Sequence, residues 1–273
     1  MRAFLALLLT ASPVLAEAPK VITDIPPVAG LVAAVMGDLG QPVVLLDKGG
    51  DEHDLALKPS QMEAMTEADL VVWMGEDLTH ELGHALEAVE VPKLTLLEAP
   101  ETLKMDYPEG GVNPHAWLSP VNAKAWTGLI AARLSELDPE NAATYAANAE
   151  AALAEIDALD AKLAAQLTGL KPFLTYHDAY GYLAAHYKLP YQGGLAAGEA
   201  HAPGAARLAE VEARVKSGEI ACIFPEEAHD PALLEAFGTL GPALNPVGSD
   251  LDPTPQAWAI LMQRLADGLA TCR

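Results

Sequence analysis

The stretch PENAATYAANAEAALAEIDALDAKLAAQL, residues 139–167, decides the fold, because it interrupts a chain that elsewhere alternates strand-like and helix-like segments. It is rich in Ala, Glu, Leu and Asp, and its apolar residues recur at helical spacing. Pro139 suits the first turn of a helix. At 1.5 Å per residue, a helix of about 29 residues is about 43 Å long. The sequence therefore predicts one long, rigid helix that runs the length of the molecule.

Short apolar runs alternate with helical patterns on both sides of this stretch. Because alternating strands and helices are typical of a parallel sheet covered on both faces, we expect two Rossmann-like α/β lobes joined by the long helix. The predicted lobes are residues 17–138 and 171–273, with residues 139–170 as the link. The strands are expected at 21–25, 43–46, 70–74, 93–97, 173–176, 220–224 and 243–247, and the helices at 27–39, 61–66 (capped by Ser60), 122–137, 179–186, 205–217, 231–240 and 255–271.

The first 16 residues have the pattern of a secretory signal peptide. A short basic end precedes an apolar run, and Val14-Leu15-Ala16 resembles a small-residue cleavage site. No later segment approaches the roughly 18 apolar residues that a membrane helix needs. We therefore expect an exported, soluble protein whose mature chain begins near Glu17.

The composition of the chain indicates which partners are disfavoured and whether its cysteines form a disulfide. The 38 acidic residues against 16 basic ones give a formal charge of −22, which argues against binding to nucleic acid or to anionic membranes. The chain has two cysteines, Cys222 in an apolar run and Cys272 at the end of a helical pattern. An even pair in an exported chain predicts a disulfide, here between the last helix and the sheet of the second lobe.

Three histidines follow, or lie soon after, apolar runs in three separate parts of the chain: His53, His115 and His177. Ligands of open α/β sheets bind at such strand ends, and neutral imidazole is a preferred donor for zinc. Two of these residues fall in the first lobe and one in the second, so a shared ion would lie in the cleft between the lobes. Glu52, beside His53, offers a carboxylate as a fourth ligand or as a hydrogen-bond acceptor.

A second histidine pattern in the sequence indicates a different function. His80-Glu81-Leu82-Gly83-His84 matches the H-E-x-x-H motif of zinc proteases. The longer protease pattern requires glycine and histidine further on, and this chain has Glu87 and Glu90 there. An exposed helix face is therefore the stronger interpretation, and a secreted metalloprotease is the alternative from another functional class.

Four segments give the sequence a family resemblance: EHD at 52–54 followed by LKPS at 57–60, ADLVVWMG at 68–75, HAWLSP at 115–120, and HDAYGY at 177–182. Together they resemble the periplasmic metal-binding proteins of ABC importers that take up zinc and manganese. The similarity covers essentially the whole mature chain and is strongest to the zinc-uptake members. The pair of Cys222 and Cys272 also matches the disulfide of those members.

The resemblance implies a monomeric metal-type periplasmic binding protein without enzymatic activity. It implies that His53, His115 and His177 bind Zn(II), with Glu52 as an optional fourth ligand. The implied partners are the zinc ion and the permease of an ABC transporter, with a periplasmic zinc chaperone as a further candidate. A manganese- or iron-binding member of the same family is the alternative within this class, although a nitrogen-rich donor set favours zinc over manganese.

The sequence departs from the family in two places. Relatives often carry a His- and Asp-rich loop before the second ligand, but residues 101–112 contain no histidine. Relatives also commonly have an aspartate late in the second lobe, where this chain has Asn245. The fourth ligand is therefore left open among Glu52, water and a nearby carboxylate such as Asp250.

Overall fold

The computed structural model describes residues 17–108, 110–196, 203–227, 234, 237–238 and 240–273. The predicted signal peptide lies outside these residues, as do His201, His229 and most of the predicted helix at 231–240. Among the described helices, none combines the length and the apolar character needed to cross a membrane.

The first lobe is built on a parallel four-stranded sheet in the order β2-β1-β3-β4. The central strands β1 and β3 consist of buried residues, as expected for a parallel sheet covered on both faces. The elements, in chain order, are β1 (Val21–Thr23), α1 (Pro26–Met36), β2 (Val43–Val44), α2 (Pro59–Thr66), β3 (Leu70–Trp73), α3 (His80–Glu87) and β4 (Lys93–Thr95).

Prolines begin two of these helices, where a missing backbone N–H costs nothing. Pro26 opens α1 and Pro59 opens α2. The prediction that Ser60 caps α2 is wrong, because the helix already begins at Pro59 and Lys58 occupies the cap position. The side chain of Gln61 closes this first turn by accepting a hydrogen bond from the Lys58 backbone N–H at 2.7 Å.

Two helices follow the first sheet, α4 (Pro120–Leu137) and the long α5 (Ala142–Gln166). The long helix begins later than predicted, because residues Pro139–Asn141 form a 3-10 turn. Asp138 closes this turn by accepting hydrogen bonds from Asn141 Nδ2 at 2.7 Å and Tyr145 Oη at 2.8 Å. The long helix packs against α1 and α4, so it is supported along the first lobe rather than spanning open solvent.

The second lobe has a parallel three-stranded sheet in the order β6-β5-β7. Strand β6 was not predicted, and it contains two adjacent glycines, Gly193 and Gly194, a residue type that weakens strands. Gly194 is required by packing, because a Cβ there would lie 2.4 Å from the Asp178 backbone nitrogen. The described elements are β5 (Phe173–His177), α6 (Gly181–Tyr187), β6 (Tyr191–Ala196), α7 (Ala205–Lys216), β7 (Cys222–Phe224) and α8 (Ala257–Leu269).

The predicted strand at 243–247 is wrong. Leu244 forms only an isolated parallel bridge with Glu226. Asn245 turns the chain immediately afterwards, since its Oδ1 accepts a hydrogen bond from the Gly248 N–H at 2.7 Å. The turn returns the backbone to the cleft before a strand can extend.

A continuous set of buried apolar side chains runs through both lobes, from Val21 in β1 to Cys272. Helix α8 packs against α1 of the first lobe and against the long helix α5. Two buried indoles extend these contacts: Trp258 Nε1 donates to the Trp117 carbonyl and Trp117 Nε1 donates to the Pro246 carbonyl, each at 2.8 Å. The predicted disulfide between Cys222 and Cys272 is confirmed and ties the end of α8 to β7.

Candidate metal site

The three predicted histidines converge between the lobes. His53 follows β2, His115 immediately precedes a 3-10 turn at Ala116–Leu118, and His177 is the last residue of β5. Their ring centroids lie 4.9 to 5.7 Å apart. Together with Glu52 they offer four potential ligand atoms within 4.8 Å of one another.

Asn113 fixes the orientation and the tautomer of His115. Its Oδ1 accepts from the His115 backbone N–H at 3.0 Å, while its Nδ2 donates to the Asp178 carbonyl at 3.3 Å, so the amide can face only one way. The same Oδ1 lies 2.9 Å from His115 Nδ1. Because a carbonyl oxygen only accepts, Nδ1 carries the proton and Nε2 presents its lone pair.

Glu226 holds the ring of His177 from the opposite side. Its Oε2 lies 2.6 Å from His177 Nδ1, and both side chains are buried. Its other oxygen accepts a hydrogen bond from Tyr180 Oη at 3.4 Å. A carboxylate that accepts from Nδ1–H orients the imidazole and makes its Nε2 a stronger metal donor.

The rings of His115 and His177 approach each other through their Nε2 atoms. His177 Nε2 and His115 Nε2 are 3.0 Å apart, close enough for one protonated ring to donate to the other. With His115 Nε2 as the acceptor, a protonated His177 would donate from Nε2 to His115 and from Nδ1 to Glu226. This geometry fits an imidazolium at His177 beside a neutral imidazole at His115.

The electrostatics of the buried groups agree with this assignment. Burial, reinforced by the charge of His177, holds the pKa of His115 well below its usual value. Burial also disfavours a charged His177, but the charge and hydrogen bond of Glu226 outweigh it and raise the pKa of His177 to about 9.

Glu52 contributes a carboxylate that is 6% exposed. Its Oε1 has no hydrogen-bond partner among the described residues, which is unusual for a buried oxygen and suits an oxygen placed to meet a cation. Burial raises the pKa of this carboxyl to about 7, against the lowering effect of His177. The loop is held in place by Thr79 Oγ1, which donates to the Glu52 carbonyl at 3.1 Å.

A cleft of about 230 Å³ lined by residues of both lobes adjoins this site, and Asn245 and Asp250 lie in its wall. Asn245 is engaged in its own turn and donates to Glu227 Oε2 at 3.1 Å. Asp250 accepts a hydrogen bond from Arg264 at 2.7 Å and is half exposed. Of the fourth-ligand candidates, Glu52 is therefore the carboxylate that lies among the three imidazoles.

The remaining described histidines lie outside this group. His80 and His84 are exposed on α3, and His186 pairs with Asp160 at 2.8 Å. Among the described residues, no third metal-binding side chain joins His80 and His84 within 4.8 Å. This weakens the protease alternative, because a catalytic zinc usually takes three protein ligands.

Sequence reasoning missed Glu226. A signal for it was present, because Glu226 follows the apolar run at 220–224 in the same way that the three histidines follow theirs. A carboxylate that follows a strand can therefore belong to the same site as the imidazoles that follow neighbouring strands.

Comparison with known proteins gives consistent matches along the whole described chain. Residues 21–272 match the family described as "ZnuA: Zinc-uptake complex component A periplasmic". The chain is 39% identical to the high-affinity zinc uptake system protein ZnuA of Paracoccus denitrificans (strain Pd 1222), over 96% of this chain and 94% of that relative. It is 30% identical to the protein of the same name from Brucella abortus (strain 2308), over 94% and 92% of the two chains.

Solved structures agree with the sequence matches. A zinc-bound ZnuA deletion mutant superposes with a TM-score of 0.82 at 27% identity, covering 94% of this chain and 98% of that one. The periplasmic zinc-binding protein TroA of Treponema pallidum gives a TM-score of 0.83 at 20% identity, over 93% and 99% of the two chains. The likeness to TroA concerns the two-lobed fold alone.

Proposed function

The chain belongs to the ZnuA family of periplasmic zinc-uptake components, and we propose that it captures Zn(II) between its lobes and delivers the ion to the permease of an ABC importer. Family membership confirms the resemblance drawn from the sequence motifs. In this role zinc is cargo and the protein acts as a periplasmic solute-binding protein, not as an enzyme.

One observation carries this proposal: three imidazoles and one carboxylate converge within 4.8 Å of one another. Tetrahedral zinc with ligands at 2.0–2.2 Å needs donor atoms about 3.4 Å apart, a spacing that small side-chain rotations reach from this arrangement. Manganese favours more oxygen donors and a higher coordination number. The donor set therefore supports zinc as the cargo.

Each side chain has a distinct role in the proposed site. His115 presents a neutral Nε2 and is ready to bind. His177 must first lose the proton on its Nε2, and Glu226 then holds the ring in the binding orientation. His53 and Glu52 come from one loop and close the coordination sphere from the side of the first lobe.

Delivery requires that the permease reach an ion held beneath the surface. His115 and His177 are 0% and 3% exposed, so the ion would lie deep between the lobes. We infer that the protein docks as a monomer, with both lobes facing the permease. Movement of the loop that carries Glu52 and His53 would release the ion, because this loop supplies two of the four proposed ligands. A periplasmic chaperone remains a candidate for loading the site.

Zinc titration of single variants tests the proposed ligands. His53→Ala, His115→Ala and His177→Ala should each weaken the binding of zinc by about 100-fold or more, since removal of an outer-shell partner alone typically costs 10–100-fold. His186→Ala is the matched control, because this histidine pairs with Asp160 away from the cleft. Unchanged affinity in the three ligand variants would contradict the proposal.

Two further measurements separate the alternatives. Competition between zinc and manganese distinguishes the two kinds of importer, and preferential retention of manganese would overturn the choice of zinc. A peptidase assay with Glu81→Gln addresses the enzyme alternative. Activity that depends on Glu81 would revive the protease, whereas we expect no peptidase activity in either form.

A further inference from the structure

Helix α3 displays a second pair of histidines with the spacing of a chelating site. His80 and His84 lie one helical turn apart, where side chains at i and i+4 share a face. Their ring centroids are 5.5 Å apart. That separation falls within the 4.9 to 5.7 Å range of the three rings in the buried site.

Both rings already turn one nitrogen toward an acceptor. His80 Nδ1 lies 3.4 Å from the Glu76 carbonyl, whereas His84 Nδ1 lies 3.9 Å from Glu87 Oε2, which is an ion-pair distance and not a hydrogen bond. Metal-binding histidines commonly donate their second ring N–H to a carbonyl or a carboxylate in this way. The contact of His80 Nδ1 leaves its Nε2 atom to bind an ion, and the His84 ring lies one turn further along the same face.

Carboxylates surround the pair. The Glu76 side chain lies across Gly83, since a Cβ at that glycine would come 2.7 Å from Glu76 Cγ. Glu87 extends from the next turn on the same face and is 73% exposed. These negative charges favour a divalent cation at the two imidazoles, and the exposure of the face leaves room for water to complete its coordination.

The pair also lies next to the buried site. Thr79 immediately precedes His80 and donates a hydrogen bond to the Glu52 carbonyl at 3.1 Å. Helix α3 therefore begins against the loop that carries His53. An ion held on α3 would be close to the first-lobe wall of the cleft.

We propose that His80 and His84 form an accessory, low-affinity Zn(II) site, with two imidazole ligands and water in the remaining positions. This site would bind one solvent-exposed ion. It would not catalyse hydrolysis. It rests on the geometry of α3 and does not depend on the role proposed for the buried site.

Equilibrium dialysis of the full chain against zinc chloride tests this site. The wild type should bind one tight and one weaker equivalent of zinc. In the variant that exchanges two residues, His84→Glu with Glu87→His, the histidines lie seven residues or about 10 Å apart, too far to share an ion. This exchange preserves composition and net charge, and both positions are exposed, so folding should be unaffected.

The expected result is loss of the weaker equivalent in the exchange variant while the tight equivalent remains. NMR supplies a second readout, because the His80 Nε2 resonance of the wild type should shift only when the second equivalent is added. A wild type that binds a single equivalent would overturn the proposal. So would an exchange variant that keeps the second equivalent, since the weaker ion would then bind elsewhere on the acidic surface.

Discussion

At the scale of single residues, the site places three imidazoles close to two buried carboxylates. Glu52 lies among the rings, whereas Glu226 lies behind His177 and contacts its Nδ1. The first carboxylate was predicted because it adjoins His53. Glu226 could not be distinguished from other acidic residues in the sequence. Its contact with His177 depends on the pairing of β5 with β7, which the sequence does not reveal.

The affinity for zinc should depend on pH through His177. Its pKa is raised to about 9 because the charge and hydrogen bond of Glu226 outweigh the effect of burial. The ion must displace this proton, so affinity should rise about tenfold per pH unit between pH 7 and 8.5. Below about pH 7 the carboxyl of Glu52 also holds a proton, and the slope should become steeper.

Competition with a zinc chelator between pH 6 and 8.5 measures this slope. Calorimetry in two buffers with different ionisation enthalpies gives the number of protons released, and we expect at least one at pH 7.5. Binding that is independent of pH would contradict the assignment of an imidazolium at His177.

Glu226→Gln should weaken zinc binding by about 10-fold or more at pH 8.5, where the proton competes least. The amide oxygen can still accept from His177 Nδ1, but the negative charge is lost. NMR titration of the metal-free variant should show that the pKa of His177 has fallen. Glu227→Gln is the control, because this neighbour is exposed and contacts Asn245. A purely structural role for Glu226 would leave the pKa of His177 unchanged.

At the scale of elements, segments with strong periodicity of apolar residues were predicted correctly, whereas a strand that contains glycines was missed. The long helix α5 and the buried strand β3 lie close to where their apolar patterns place them. Strand β6 was missed because Gly193 and Gly194 obscure its pattern, although close packing on β5 is what requires glycine. The predicted strand at 243–247 fails because the hydrogen bonds of Asn245 favour a turn.

Gly30 in α1 packs directly against the start of α8. A Cβ there would lie 2.9 Å from the Trp258 backbone nitrogen and 3.0 Å from Ala257 Cβ. Gly30→Ala should therefore lower the free energy of unfolding by about 1–3 kcal/mol, because α1 and α8 must separate. Urea denaturation of the metal-free protein measures this effect.

Gly128 in α4 provides the opposite case. A Cβ at this exposed helical position meets nothing within 4 Å. Gly128→Ala should raise the free energy of unfolding by about 0.4–1 kcal/mol through the higher helix propensity of alanine. Equal effects of the two substitutions would show that the α1–α8 contact is not tight.

At the scale of the whole molecule, the disulfide and the shared core determine how the chain unfolds. Cys222 and Cys272 are 50 residues apart in sequence, and their bond closes a loop that contains α8. Reduction should lower the free energy of unfolding by about 2–4 kcal/mol, mainly by enlarging the unfolded ensemble. Urea curves with and without a reductant measure this difference. The double variant Cys222→Ala with Cys272→Ala should be insensitive to the reductant, and an equal response from both proteins would contradict the prediction.

The contact between α1 and α8 also limits how such chains can be recombined. Helix α8 comes from the end of the sequence but packs on the first lobe, with the glycine at position 30 matched to Trp258. A chimera that takes residues 17–138 from one relative and the remainder from another would separate surfaces shaped for each other. Functional hybrids should therefore be those in which α1 and α8 come from the same parent protein, although the two helices lie far apart in the sequence.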